Sequence, residues 1–285
     1  MKITLAILCT ILLAANPVNG QSKSEVGVMA GISYYLGDLN INKHFHLSQP
    51  AGGIVSRYIF NPHFALKNSF YYGMIEGNDA FSNNPIHKTR NLHFRSSIID
   101  IATQIEFNFF PFNEGKSERM IRREGKYYFS PYVFTGISMF SFNPQARHGD
   151  TWFELQPLGT EGQGTIAYPD KKKYSLTQLC IPFGTGIKYD LSKKVNMAFE
   201  WGLRYTFTDY IDDVSTTYAN PMAIGAEKGP VARELSDPSA ERGSEIDNTG
   251  RQRGNSKNND LYAFTGIMIT FKIANKYQQI KCVQQ

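Results

Sequence analysis

Long runs in which every second residue is apolar are the feature that most narrows what this 285-residue chain can become. From Ile99 to Phe109, Ile99, Ile101, Thr103, Ile105, Phe107 and Phe109 fall on one side, and Asp100, Ala102, Gln104, Glu106 and Asn108 on the other. Val195 to Phe207 repeats the pattern, with Val195, Met197, Phe199, Trp201, Leu203, Tyr205 and Phe207 on one face. Side chains alternate across a strand, whereas a helix would scatter these apolar residues around its circumference. The same period predicts eight strands: Glu25–Leu36, Ala51–Phe60, His63–Glu76, Arg95–Phe110, Tyr127–Phe140, Tyr174–Tyr189, Val195–Asp209 and Asp260–Lys272. These are much longer than the roughly 5–6 residues of an ordinary strand. They match or exceed the roughly 9–11 residues that a tilted strand needs to cross a bilayer.

The connections point the same way. Gly37–Pro50, Gly77–Phe94, Ser141–Lys173 and Tyr210–Asn259 are long, while Asn61–Pro62 and Asp190–Lys194 are tight turns. Long outer loops alternating with short inner turns are the signature of an outer-membrane barrel. Pro111–Lys126, on the short-turn side, departs from it by its length. Aromatic residues gather at both strand ends. Tyr34, Tyr35, Tyr71, Tyr72, Phe140, Tyr174, Phe207, Tyr210 and Tyr262 are expected in an outer girdle. Phe60, Phe64, Phe109, Phe110, Phe112, Tyr127, Tyr128, Tyr189 and Phe271 are expected in an inner one. The expected fold is all-β, an eight-stranded antiparallel transmembrane β-barrel with long extracellular loops, rather than a soluble barrel with polar outward faces.

The faces opposite the apolar stripes carry Arg57, Lys67, Asp100, Gln104, Glu106, Lys188, Glu200 and Arg204. Side chains fill an eight-stranded barrel, and ions taken out of water must be paired there. Glu106, Glu200 and Arg204 are therefore expected in one ion-pair network with Arg57, Lys67 and Lys188 that closes the lumen. A conducting path would require those pairs to open.

The N-terminus has Lys2 followed by an apolar run from Ile3 to Ala15, too short to span a bilayer as a helix. Residues 1–20 read as a secretory signal cut between Gly20 and Gln21. That leaves a barrel over 21–272 and a polar tail over 273–285, expected on the periplasmic side. Cys9 leaves with the signal, and Cys180 reads as a small apolar strand residue. Cys282 is a free thiol or an intermolecular link.

Thirty basic against twenty-five acidic residues give a net charge of +5, scattered along the chain, which gives little support to nucleic-acid binding. No G-x-S-x-G, H-E-x-x-H or paired C-x-x-C occurs, so no catalytic or cofactor site and no small-molecule substrate is expected. His44 and His46 lack further nearby metal ligands. Asp209, Asp212 and Asp213 with Asp260 do not have calcium-loop spacing and are expected to be solvated loop carboxylates. Gly159, Gly162 and Gly164 read as loop flexibility. The enzymatic alternative is a lipid-modifying barrel using His87, His93 or His148 with Ser96 or Ser141. A structural barrel anchoring the envelope is the other alternative.

Several segments, in order and spacing, carry a resemblance. They are Tyr35-Leu-Gly-Asp-Leu-Asn40, Asn91-Leu-His-Phe-Arg-Ser-Ser-Ile-Ile-Asp100 and Gln104-Ile-Glu-Phe-Asn-Phe-Phe-Pro111. Glu154-Leu-Gln-Pro-Leu-Gly-Thr-Glu-Gly-Gln-Gly164, Ile181-Pro-Phe-Gly-Thr-Gly-Ile-Lys-Tyr189 and Thr206-Phe-Thr-Asp-Tyr-Ile-Asp-Asp-Val-Ser-Thr-Thr-Tyr218 follow. Arg253-Gly-Asn255, Asn258-Asn-Asp260 and Lys281-Cys282 close the series. Together they resemble the PorG-like outer-membrane barrel family of type IX secretion systems over nearly the whole mature chain. The resemblance implies a barrel in the outer membrane of a Gram-negative bacterium, surrounded by lipid and associated from below with a periplasmic ring. Pro111–Lys126 and the tail are the long segments on that side. Lys116, Arg119, Arg122, Arg123 and Lys126, with Cys282 in the tail, are the expected docking residues. Such basic side chains would steer an acidic partner.

Overall fold

The alternation along the chain becomes an alternation of exposure in a computed structural model, which describes residues 23–41, 43–112, 129–192, 194–244 and 246–273. On the strand His93–Asn108, Phe94, Ser96, Ile98, Asp100, Ala102, Gln104, Glu106 and Asn108 are buried, while Ile99 and Ile105 are exposed. The apolar face therefore points outward and the polar face inward, the reverse of a water-soluble sheet.

Nine strands form: β1 (Lys23–Leu36), β2 (Gln49–Ile59), β3 (Phe64–Asn78), β4 (His93–Asn108), β5 (Phe129–His148), β6 (Thr151–Glu154), β7 (Thr177–Asp190), β8 (Val195–Thr206) and β9 (Leu261–Ile273). Their order is β4-β3-β2-β1-β9-β8-β7-β5-β6, and a further β4–β5 pairing closes eight of them into a ring. All pairings are antiparallel. The seam between the first and last strands runs from Ser24 opposite Ile273 to Leu36 opposite Leu261. β6 lies outside the ring as the return strand of a hairpin with the end of β5. The ladder between β5 and β7 breaks once, between the Thr135–Phe183 and Ser138–Cys180 pairs, where Pro182 has no N–H to donate.

The two tight turns form as their residues dictate. The Asn61 side chain accepts from the backbone N–H groups of His63 and Phe64, and the Ser192 hydroxyl accepts from Val195 N–H. Both are Asx- or Ser-type turn contacts. Gly20, Gln21, Lys116, Arg119, Arg122, Arg123, Lys126 and Cys282 lie outside the described residues.

Two expectations are corrected. β5 continues past Phe140 to His148, because Phe142 and Ala146 keep the inward period and the outer end of β4 still offers a partner, Arg95 opposite Gln145. The aromatic girdles are also thinner than expected. Tyr72, Phe207, Phe60, Phe64, Phe109, Tyr189 and Phe271 are exposed on the outer wall. Tyr35, Tyr71, Phe140 and Tyr262 are buried inside instead, because neighbours such as Tyr34 and Tyr35, or Tyr71 and Tyr72, must face opposite ways. Phe112 is buried as well. The inward rings belong to an apolar cluster with Ile75, Phe94, Ile98, Phe142 and Phe264. The first loop also folds back over the outer wall. Phe45 packs against Tyr34 with ring centroids 5.0 Å apart, and His44 against Trp201 at 6.0 Å. Phe45 and Leu47 take left-handed φ values of 62° and 50° to make that return.

Candidate functional site

The lumen holds a cluster of buried ions. Strand alternation brings Glu25 from β1, Arg57 from β2, Lys67 from β3, Glu106 from β4, Lys188 from β7 and Glu200 from β8 to the inner surface. Arg57 binds Glu106 through two N–H groups, at 2.7 and 3.2 Å, and donates to Glu25 at 2.8 Å. Lys188 donates to Glu106 at 2.6 Å and to Asn108 at 2.8 Å. Lys67 binds Glu200 and stands 3.6 Å from Glu106, and the Tyr132 hydroxyl donates to Glu200 at 2.6 Å. Asn196 and Thr270 donate to Glu25 at 2.6 and 3.0 Å.

Arg57, Lys67, Glu106, Lys188 and Glu200 thus meet in one network, joined by Glu25. Arg204 does not join it. Its nearest carboxylate is Asp100, at 3.6 Å, and its guanidinium lies 4.9 Å from the Phe264 ring. Arg204 and Glu200 share the inward face of β8 but stand about 13 Å apart along it, which places them in different layers. Counted among the described residues, Glu25, Asp100, Glu106 and Glu200 balance Arg57, Lys67, Arg204 and Lys188, so the lumen is neutral. Neutrality with direct contacts is what makes buried ions tolerable.

Above the lumen the outer loops form a second polar constellation. Arg90 in the second loop grips Asp79 with two hydrogen bonds of 2.7 Å. It also donates to the carbonyl of Arg253 in the fourth loop and to that of Asp38 in the first. Glu161 in the third loop accepts from the N–H groups of Ser215 and Thr216, from the Thr216 hydroxyl at 2.6 Å and from Arg253 at 3.3 Å. Asp38 accepts from Asn255 N–H at 2.7 Å. Every outer loop is therefore tied to another through a carboxylate or guanidinium, and the loops make a cap over the barrel mouth.

The sequence reading of this region is corrected. Asp209, Asp212, Asp213 and Asp260 are buried rather than solvated. Gly159 and Gly162 are buried, and with Gly164 they hold φ values of 63°, 93° and 66°; these glycines fix tight turns rather than confer mobility. Burial raises the Asp209 carboxyl to about 8 and the Asp213 carboxyl to about 6. The cap also contains the helices Pro85–Arg90, Pro221–Lys228 and Pro230–Ser236. Asn84 and Asn220 cap the first two, each followed by a proline at the first helical position.

The residues proposed for the enzymatic alternative do not assemble. His93 accepts from Arg147 N–H, His87 meets Ser82 at 3.3 Å and His148 meets Glu234 at 3.3 Å. Ser96 accepts from Asn143 N–H, and Ser141 pairs with Thr177. His44 bonds the Tyr34 hydroxyl while His46 packs on Phe81, so the two histidines address different neighbours. Among the described residues no group of three or more His, Cys, Asp or Glu converges as a metal site. Cys180 is buried, with its sulfur 3.5 Å from the Tyr262 hydroxyl.

Solved structures similar to this chain include Ail, the attachment invasion locus protein of Yersinia pestis, in complex with the heparin analogue sucrose octasulfate. It is 9% identical, the alignment covers 89% of this chain and 100% of that one, and the TM-score is 0.39. The outer membrane protein OprG of Pseudomonas aeruginosa is 9% identical, with 91% and 100% covered and a TM-score of 0.35. The N-terminal β-barrel domain of Pseudomonas aeruginosa OprF is 11% identical, with 89% and 98% covered and a TM-score of 0.35. No curated protein matches the sequence. The family model described as domain of unknown function DUF6089 matches residues 2–154, more than half of the chain, and the protein belongs to that family.

Proposed function

We propose that this protein is a sealed, non-catalytic outer-membrane barrel that serves as a component of a type IX protein secretion machine and docks on its periplasmic ring. The observation that carries the membrane reading is the closed ring whose outer wall is apolar on every strand. Val28, Ile54, Phe70, Ile105, Ile137, Ile187, Phe199 and Ile267 are exposed around it, while the charges sit inside. In water that wall would be a liability; in a bilayer it is the solvated surface. The ion network and the cap favour a barrel that scaffolds rather than conducts. The secretion role is supported by the ordered segments that resemble the PorG-like family, and the exported state by the signal-like segment 1–20.

The docking surface in this reading is Pro111–Lys126 with the tail after Ile273. The test is affinity purification of the full-length protein in mild detergent from the native envelope. Periplasmic ring subunits are expected to co-purify, and replacing Pro111–Lys126 with a short Asn-Gly turn is expected to release them. Co-purification that survives both this swap and deletion of the tail, in variants that insert normally, would place docking elsewhere. Recovery of the barrel with no specific companion would instead make it a structural barrel unconnected to secretion, and lipid turnover by the purified protein would support the enzymatic alternative.

A further inference from the structure

A hydroxyl has one hydrogen, and at the mouth of the barrel one hydroxyl is asked to serve two carboxylates. The Tyr35 oxygen lies 2.6 Å from Asp212 Oδ2 and 2.8 Å from Asp260 Oδ1, and all three residues are essentially without solvent contact. Tyr35 can donate to only one of them. The other contact is a hydrogen bond only if that carboxyl carries a proton of its own and donates it to the tyrosine oxygen. The remaining oxygens are each occupied by one backbone donor, Val214 N–H to Asp212 Oδ1 and Ile211 N–H to Asp260 Oδ2, both at 2.9 Å. Beside them Asp209 is 93% buried, and neither of its oxygens has a well-formed hydrogen bond among the described residues. When ionised, Asp209 opposes ionisation of Asp260.

We propose that Asp212 and Asp260 bind one proton between them through the Tyr35 hydroxyl, and that this proton locks the fourth outer loop onto the barrel mouth. Tyr35 belongs to β1, Asp260 immediately precedes β9, and Asp212 sits in the loop after β8, so the shared proton ties the cap to the closing seam. Gly37 is part of the same arrangement: a Cβ there would lie 2.0 Å from both the Tyr35 hydroxyl and Asp260 Oδ1. With both carboxylates ionised, one hydroxyl would separate two buried anions, and the loop would be pushed away from the wall.

The charged and titratable groups around the pair are Asp38 of the first loop, Arg90 of the second, Glu161 and Tyr174 of the third, and Asp209, Asp213 and Arg253 of the fourth. Arg90 and Arg253 are committed to Asp79 and Glu161, at 2.7 and 3.3 Å. The surroundings are therefore net negative and reinforce proton uptake. Burial raises both carboxyls well above the ordinary carboxylate range, with Asp260 and Asp38 adding to the shift of Asp212, and Asp209 and Asp38 to that of Asp260. A group raised in the folded state stabilises the fold fully in acid, and that contribution is lost as pH rises through the folded value. The cap is therefore tightest at acidic pH and loosens toward alkaline pH.

The test is hydrogen exchange of peptides covering residues 207–260 in the detergent-folded, full-length protein at pH 6 and pH 9.5, corrected for intrinsic exchange. Opening of this loop is expected to rise by up to about tenfold per pH unit between the open-state and folded values, and to level off above the folded one. Asp212→Asn and Asp260→Asn each supply a neutral donor in place of the shared proton and should flatten that rise; either one that folds gives the reading. Asp209→Asn should retain a clear rise. Protection that does not change between the two pH values in the unaltered protein overturns the proposal. So does a full pH response in the Asn variants at 212 and 260, or its complete loss in Asp209→Asn.

Discussion

Replacing Glu106 with alanine will cost more stability than any other single truncation inside the barrel. Glu106 takes hydrogen bonds from Arg57 and Lys188 and faces Lys67 at 3.6 Å, so three buried cations depend on it. Without it, Arg57, Lys67 and Lys188 are left with Glu25 and Glu200, and the lumen carries an uncompensated positive charge. Breaking a buried ion pair from one side costs about 3–5 kcal/mol. Urea unfolding of the protein folded in micelles should show a midpoint lowered accordingly. Replacing the ions by apolar residues of similar volume is a different experiment, and Arg57→Met combined with Glu106→Leu should recover part of the loss. An unchanged midpoint in Glu106→Ala would mean that the network does not support the fold.

The second large effect is steric. Gly31 on β1 pairs with Gly266 on β9, in the seam that closes the ring. A Cβ at Gly31 would lie 2.1 Å from the Thr265 carbonyl oxygen and 2.5 Å from the Gly266 Cα, both backbone atoms. A small barrel is strongly coiled, and at this point the two strands approach too closely for any side chain on the inner face. Flexible side chains can move aside from such a contact, whereas a backbone carbonyl held in a ladder cannot. Gly31→Val should abolish closure, so that the heat-modifiable folded band disappears on electrophoresis of the refolding mixture. A folded yield equal to that of the unaltered protein would show that the seam can widen without loss.

The barrel was legible because a membrane barrel writes its two faces directly into the sequence. Ile99 to Phe109 alternates cleanly because one side meets lipid and the other a polar lumen, and the inward set Arg57, Lys67, Glu106, Lys188 and Glu200 follows from parity alone. Parity could also have separated Tyr34 from Tyr35 and Tyr71 from Tyr72, which the girdle reading grouped together. It could not pair Arg204 with Asp100, because sequence parity gives the face but not the depth at which neighbouring strands meet. The cap was the least legible part. Its local signals were present in Asn84-Pro85 and Asn220-Pro221, each a helix cap followed by a first-turn proline. Its closure rests on contacts between residues far apart in the chain, such as Glu161 with Arg253 and Asp38 with Asn255. Spacing alone cannot reveal those contacts. The carboxylates Asp209, Asp212 and Asp260 looked solvated because they sit in a long polar loop, and only the fold shows that the loop turns back over the mouth.

Docking from the periplasm requires that the long loops face the cell exterior and the tight turns face the periplasm. Ser256 lies exposed in the fourth outer loop, and Ser192 lies exposed in the tight turn between β7 and β8 at the opposite end. Single cysteines at these two positions, in a background with Cys180→Ala and Cys282→Ser, can be probed on intact cells with a membrane-impermeant maleimide. Ser256→Cys is expected to be labelled on intact cells, and Ser192→Cys only after the outer membrane is permeabilised. Labelling of Ser192→Cys but not Ser256→Cys on intact cells, or recovery of the folded protein in the soluble fraction, would contradict it.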